Sequence, residues 1–299
     1  MIRFAEFTKT YAGHPAVDQL TLDIERGEVV ALLGPNGSGK TTTLKAAAGL
    51  LSPSSGTVLL GEPGRPASEP AARGAVSFLP QRVAFPESLT GREVVEFYRR
   101  LRGVHPARTG EALRFASLNG ASARAVGTYS GGMMQRLGLA VAILPQAPVL
   151  LLDEPTAALD PDGLAAFYGL VEGRKRDDQT VLFTSHQLGD VERLADRFAV
   201  LVNGTLTAVL TGRELADRLA WRGVLKLRLD ACPDGLLEQV RRIAPEASWL
   251  GDQLVVRGPA TARPAIVEVV RQAGAEIRDL TAEEGRLDTF YRELVQGTP

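Results

Sequence analysis

One eight-residue stretch constrains this chain more than any other feature: Gly34-Pro35-Asn36-Gly37-Ser38-Gly39-Lys40-Thr41 satisfies G-x-x-x-x-G-K-[ST] in full. The apolar run from Glu28 to Leu33 leads into it, and Thr41 to Leu50 is good helix material. A buried strand, a glycine turn and a helix in that order point to an α/β core around a parallel sheet. The turn has a chemical use. Its glycines let backbone N–H groups close on phosphate oxygens, and the following helix adds its positive N-terminal end. Lys40 is placed to reach the terminal phosphates of a nucleoside triphosphate, and Thr41 to offer its hydroxyl to Mg²⁺. The chain has only five lysines, so one at this position carries weight.

Two further apolar runs end in polar residues. Val149 to Leu152 delivers the adjacent carboxylates Asp153 and Glu154, and Thr180 to Thr184 delivers Ser185 and His186. Chemistry in parallel sheets gathers at the carboxyl ends of strands. All three run-ends are therefore expected at one edge. Neighbouring side chains on an extended strand point in different directions. Asp153 is assigned to the Mg²⁺ shell and Glu154 to the attacking water as general base.

The remainder organises around these runs. Ile2–Phe7 and Leu20–Ile24 alternate as strands. From about 86 to 145 the pattern turns helical, with Val94, Val95, Phe97, Tyr98 and Leu101 on one predicted helix and Leu137–Leu144 on another. Beyond about Leu210, short strands at Val224–Leu229 and Gln253–Val256 alternate with helices at 235–243, 264–273 and 287–295. The expected division is a large domain over 1–215, with the helical insertion at about 86–145, and a small α+β accessory domain over 216–299.

Composition removes several function classes. Lys and Arg number 34 against 35 Asp and Glu, a net charge of -1 that argues against whole-chain capture of nucleic acid or anionic lipid. The single cysteine, Cys232, excludes an internal disulfide. With His14, His105 and His186 far apart, the sequence shows no zinc- or copper-type ligand cluster. The N-terminus lacks a signal-peptide core, and no apolar stretch approaches the roughly 18 residues that cross a bilayer. A membrane role therefore calls for a partner chain.

Tyr129-Ser130-Gly131-Gly132-Met133-Met134-Gln135-Arg136 resembles the signature loop of ATP-binding cassette (ABC) ATPases, and it lies just before the acidic strand. Other motifs of that family follow in order. Tyr11 resembles the aromatic residue that stacks on adenine, Gln81 the glutamine of the Q-loop, Ala158-Leu159-Asp160 the D-loop and His186 the switch histidine. The resemblance covers about residues 1–215. Two positions depart from it: Tyr129 and Met133 flank Ser130-Gly131-Gly132 where Leu and Gln are usual, and Ala158 stands where Ser is frequent. The resemblance implies a P-loop NTPase core with an antiparallel β subdomain and a helical insertion. It implies ATP on Tyr11 and on Gly34, Pro35, Asn36, Gly37, Ser38, Gly39, Lys40, Thr41 and Thr42. Mg²⁺ would lie among Thr41, Gln81 and Asp153, with Glu154 on the water and His186 on the γ-phosphate. Ser130, Gly131 and Gly132 would close over ATP held by another subunit, which implies a head-to-tail homodimer or a pair with a related ATPase.

The resemblance implies a transporter subunit, peripheral on the cytoplasmic face of the cell membrane, gripping a separate permease near Gln81–Phe97. Phe85, Pro86 and Leu89 either line that groove or pack the helical insertion. Tyr-Ser-Gly-Gly-Met with a roughly 80-residue tail resembles exporter-type ATPases, with drug or lipid export and a copper-related role as the alternatives. Residues 79–85 and Leu287-Asp288-Thr289-Phe290-Tyr291 resemble the ATPase of the copper-related transporter that matures nitrous oxide reductase, although that relative has Glu where this chain has Gln81. The alternative is a soluble ABC ATPase acting on ribosomes or DNA. Paired cassettes and long coiled coils, usual there, are absent from the sequence, so no nucleic-acid partner is expected.

Overall fold

A computed structural model describes residues 1–185, 188–214 and 223–283. The chain divides into two compact units, Met1–Val209 and Leu210–Pro299.

The first unit opens with β1 (Ile2–Tyr11), β2 (His14–Ile24), β3 (Val29–Leu33), α1 (Lys40–Ala47), β4 (Ser55–Leu60), β5 (Arg65–Pro66), α2 (Pro70–Gly74) and β6 (Val76–Leu79). Next come α3 (Gly91–Leu101), α4 (Ala107–Phe115), a 3₁₀ turn (Val126–Thr128) and α5 (Gly131–Ile143), all within the span expected to be helical. The unit continues through β7 (Val149–Leu152), α6 (Pro161–Arg176), β8 (Thr180–Thr184), α7 (Leu188–Leu194), β9 (Arg197–Val202) and β10 (Thr205–Thr211), the last of which runs into the second unit.

Two sheets share the first unit. One is ordered β2-β1-β4-β5, with β1 antiparallel to β2 and β4. Its alternation breaks at Glu6, whose φ is 50°, and the register shifts between Phe4 and Phe7. That bulge turns Phe4 and Phe7, three positions apart, into the same core, where both are fully buried. The other sheet is ordered β10-β9-β3-β8-β7-β6. Its pairs β9–β3, β3–β8, β8–β7 and β7–β6 are parallel. Every residue of β3, β7 and β8 is buried, which is why these strands read as apolar runs rather than alternations.

Register places the chemistry. Leu32 faces Thr184, Leu152 faces Phe183, and Leu79 faces Leu152. The carboxyl ends of β3, β8, β7 and β6 are therefore level, and Gly34, Ser185, Asp153 and Gln81 leave the sheet along one edge. The helices α3, α4 and α5 have their own core of Val94, Val95, Leu113, Val126, Leu137 and Leu144. A capping box at Thr90 and Glu93 starts α3. Phe85 and Leu89 pack against this core. Of the apolar residues expected on α3, Val94 and Val95 are buried, but Phe97 and Leu101 are 58% and 67% exposed.

The second unit holds β11 (Val224–Leu229), a helix at Leu236–Arg241, β12 (Ala247–Leu250), β13 (Gln253–Arg257), a helix at Arg263–Gln272 and β14 (Ile277–Glu283). The sheet is ordered β12-β13-β11-β14 with antiparallel neighbours, the split β-α-β-β-α-β arrangement. Leu225, Leu227, Leu254 and Val256 meet Leu236, Val240, Ile266 and Val270 in its core. The expected helix at 287–295 and the expected boundary at 215/216 lie outside the described residues.

Candidate nucleotide site

The loop after β3 is built by its glycines. Gly39 has φ +99°, and a Cβ there would stand 2.5 Å from the Ala16 carbonyl oxygen. Gly37 has φ +83°. L-residues with side chains adopt such conformations at a cost. The backbone of Ser38 donates to the Pro35 carbonyl at 3.2 Å, and Thr43 N donates to Gly39 O at 2.9 Å as α1 begins. Asn36 and Gly37 are exposed at the tip, whereas Ser38 and Lys40 are buried. The Lys40 ammonium lies inside the arc, donating to Gly34 O at 2.7 Å and Pro35 O at 3.0 Å. Burial lowers its pKa from the ordinary lysine value, against the opposing pull of Glu154 and Asp153. Lys40 is thus coupled electrostatically to both carboxylates named from sequence.

Asp153 and Glu154 leave β7 in different directions. Asp153 is 1% exposed. Its Oδ1 accepts from the Thr184 hydroxyl at 2.8 Å, and its Oδ2 is buried with no hydrogen-bond partner among the described residues. Glu154 takes φ 50°. Its backbone N–H donates to the Thr184 hydroxyl at 2.8 Å, and its Oε2 accepts from Gln81 Nε2 at 2.8 Å. The structure thus joins Gln81 to Glu154 through the amide nitrogen of Gln81.

Ser130 caps α5, its hydroxyl accepting from Met133 N at 3.2 Å. A Cβ on Gly132 would come within 2.8 Å of Ala158 O, so the signature-like turn lies against the D-loop-like turn of its own chain. Ser130 and Gly131 are exposed. Tyr11 ends β1 with 51% exposure, and the Lys9 ammonium is 5.4 Å from its ring centroid. His186 lies outside the described residues.

Homology now joins the geometry. The ABC transporter family model matches residues 17–157. The uncharacterized ABC transporter ATP-binding protein YxlF of Bacillus subtilis (strain 168) is 41% identical over 212 residues, covering 69% of this chain and 70% of YxlF. The chain belongs to the ABC transporter ATPases. It binds ATP and hydrolyses it. The linearmycin resistance ATP-binding protein LnrL of the same organism is 28% identical over 248 residues, covering 82% and 80% of the two chains. Mouse ATP-binding cassette sub-family A member 7 is 33% identical over 301 residues, 96% of this chain but only 14% of that protein. The dimeric post-hydrolysis structure of the ATP-binding cassette MJ0796 bound to ADP and Pi superposes with TM-score 0.66 at 26% identity, covering 71% of this chain and 99% of that one.

Residues that motif reading did not single out support the cassette's edge. Asp190, 1% exposed on α7, accepts from Thr156 Oγ1 at 2.7 Å, Ser185 Oγ at 3.1 Å and Tyr168 OH at 2.6 Å. It ties the turn after Glu154 to the end of β8. The hydrogen bond to Asp190 leads the causes that raise the Tyr168 pKa to about 12, and the Arg193 guanidinium lies 4.2 Å from the Tyr168 ring centroid. A polar residue at the start of a short helix carries no motif signal, so this carboxylate is visible only in three dimensions. Asp190→Ala removes the acceptor of three hydroxyl hydrogen bonds at once. It is expected to destabilise the chain by about 3 kcal/mol or more, read as a fall in the urea midpoint.

Proposed function

We propose that this chain is the ATP-hydrolysing subunit of an exporter, acting as a head-to-tail dimer on a separate integral membrane permease at the cytoplasmic face of the membrane. One observation carries the reading. The Lys40 loop, Gln81, Asp153 and Glu154 share one sheet edge, while the exposed Ser130-Gly131 turn makes its own contacts with Met133 and Ala158 through Ser130 and Gly132. A second copy turned head to tail, or a related ATPase, brings Ser130, Gly131 and Gly132 over the nucleotide. The dimeric MJ0796 structure supports that arrangement.

In this reading adenine stacks on Tyr11, and the phosphates lie on the backbone from Gly34 to Thr42. The Lys40 ammonium, held by two loop carbonyls, turns to the terminal phosphates. The donor set fits Mg²⁺, a hard cation that takes oxygen ligands: Asp153 Oδ2 is buried without a hydrogen-bond partner among the described residues, and the Thr41 hydroxyl and Gln81 amide oxygen complete the set. When bound, Mg²⁺ neutralises phosphate charge. Glu154 orients water and accepts its proton, and the Gln81 hydrogen bond aims its carboxylate. His186 addresses the γ-phosphate. Hydrolysis releases the closed dimer, a shift of population set by ligand contacts.

Coupling to a permease has support on two sides. Among the described residues no helix is long and apolar enough to cross a membrane, and in the proposed reading the transport path lies in the permease. On α3, Phe97 and Leu101 leave an exposed apolar patch beside the Phe85–Tyr98 ring contact. We assign permease docking to that patch together with Pro86, while Phe85 and Leu89 serve the helical core. Similarity to the linearmycin resistance protein LnrL and to the human phospholipid-transporting ATPase ABCA7 (36% identical over 230 residues, 11% of that protein) favours drug or lipid cargo. The copper-related reading draws part of its support from 287–291, outside the described residues.

The test is affinity purification of the tagged chain from solubilised membranes. An integral membrane protein is expected with it. Phe97→Asp with Leu101→Asp is expected to lose that protein and keep basal ATPase activity. Recovery of ribosomes or DNA instead overturns the exporter reading.

A further inference from the structure

We propose that Thr184 is the positioning residue that sets both carboxylates of the ATPase site, through a single hydroxyl. The proposal rests on the roles of Asp153 and Glu154 given above. Thr184 is the last residue of β8 and is fully buried. A hydroxyl offers one proton and accepts at its lone pairs. Here the proton goes to Asp153 Oδ1 at 2.8 Å, and the oxygen accepts the Glu154 backbone N–H at 2.8 Å.

Each bond has a distinct consequence. Satisfying Oδ1 fixes the rotation of the Asp153 carboxylate and leaves Oδ2 as the oxygen without a partner among the described residues. That oxygen is the one suited to a divalent cation. The bond from Glu154 N holds a residue whose φ of 50° is unfavourable for any side chain beyond glycine. That turn lets Glu154 leave the strand toward Gln81. One oxygen atom on the neighbouring strand therefore sets the metal-facing atom of one carboxylate and the backbone direction of the next. The anchor itself is firm. Thr184 is paired in register with Leu32 of β3, and Ser185 continues into the Asp190 network.

Thr184→Val is nearly isosteric and removes both bonds, whereas Thr184→Ser keeps the hydroxyl. Three quantities are measured in the full chain: Mn²⁺ affinity by electron paramagnetic resonance with a non-hydrolysable ATP analogue, nucleotide affinity in EDTA, and kcat with Mg²⁺. Thr184→Val is expected to weaken Mn²⁺ binding about 10-fold and to lower kcat about 10-fold or more. Nucleotide affinity in EDTA stays native, and Thr184→Ser behaves as native throughout. A valine variant with native Mn²⁺ affinity overturns the proposal, as does a serine variant as impaired as valine. If the valine variant fails to fold, Thr184→Ala is measured in the same way. Failure of the unaltered chain to bind Mn²⁺ with nucleotide sinks the reading of Asp153 instead, so the two failures are separable.

Discussion

Glu154→Gln is expected to lower ATP hydrolysis by at least about 100-fold, the scale of a lost general base, while ATP still binds. The substitution keeps size and one acceptor oxygen. It removes the negative charge that draws the water proton. It also alters the Gln81 contact, because Gln81 Nε2 now donates to a carboxylate oxygen at 2.8 Å and would meet a neutral amide. Binding contacts through the loop from Gly34 to Thr42 are untouched. ATP therefore accumulates on the protein, and with it the head-to-tail dimer. Light scattering of Glu154→Gln at saturating Mg-ATP should report twice the monomer mass, and ADP should return it to monomer. A variant that stays monomeric with ATP bound removes the sandwich from the proposal; one that hydrolyses at the native rate removes Glu154 from its role.

The second large effect belongs to Lys40. Lys40→Met should abolish detectable hydrolysis and weaken nucleotide binding about 100-fold, since a charge-assisted contact to phosphate contributes about 1.5–3 kcal/mol. The sign of its effect on the nucleotide-free protein is different. Burial lowers the Lys40 pKa below the ordinary value, outweighing the attraction of Glu154 and Asp153. The charged form is thus disfavoured by the fold, and this group's contribution to stability rises as pH climbs through the folded pKa toward the ordinary lysine value. Lys40→Met removes that rise along with the bonds to Gly34 O and Pro35 O. Its melting temperature without nucleotide should match or exceed that of the native chain at neutral pH. The stabilisation that ATP confers should fall by up to about 2.7 kcal/mol relative to the native chain, the 100-fold loss of affinity converted. Thermal scans with and without Mg-ATP measure both.

These outcomes bear on different parts of the site. Loss of binding with Lys40→Met speaks for the loop after β3. Retention of binding without turnover in Glu154→Gln speaks for the end of β7. The Thr184 variants separate the metal-facing oxygen from the nucleotide, which neither of the others does.

Local chemistry in the sequence already determined which elements form where backbone demands are narrow. A G-x-x-x-x-G-K-T loop has few alternatives, because its positive-φ glycines and its lysine suit one ligand class. Fully buried strands read as short apolar runs, so Val149–Leu152 and Thr180–Thr184 were legible to the residue. The position of Asp153 and Glu154 at a strand end was legible too, because those residues directly follow the apolar run. Tertiary structure alone decided what depends on register between distant strands. The bulge at Glu6 that brings Phe4 and Phe7 to one face, the fate of Phe97 and Leu101 outside the helical core, and the split β-α-β-β-α-β pairing of the second unit are of this kind. So are the hydroxyl of Thr184 between two carboxylates and the carboxylate of Asp190 beneath three hydroxyls. A hydrogen bond across 30 residues of chain leaves no periodicity, because its energy is realised only when two strands have paired in one register.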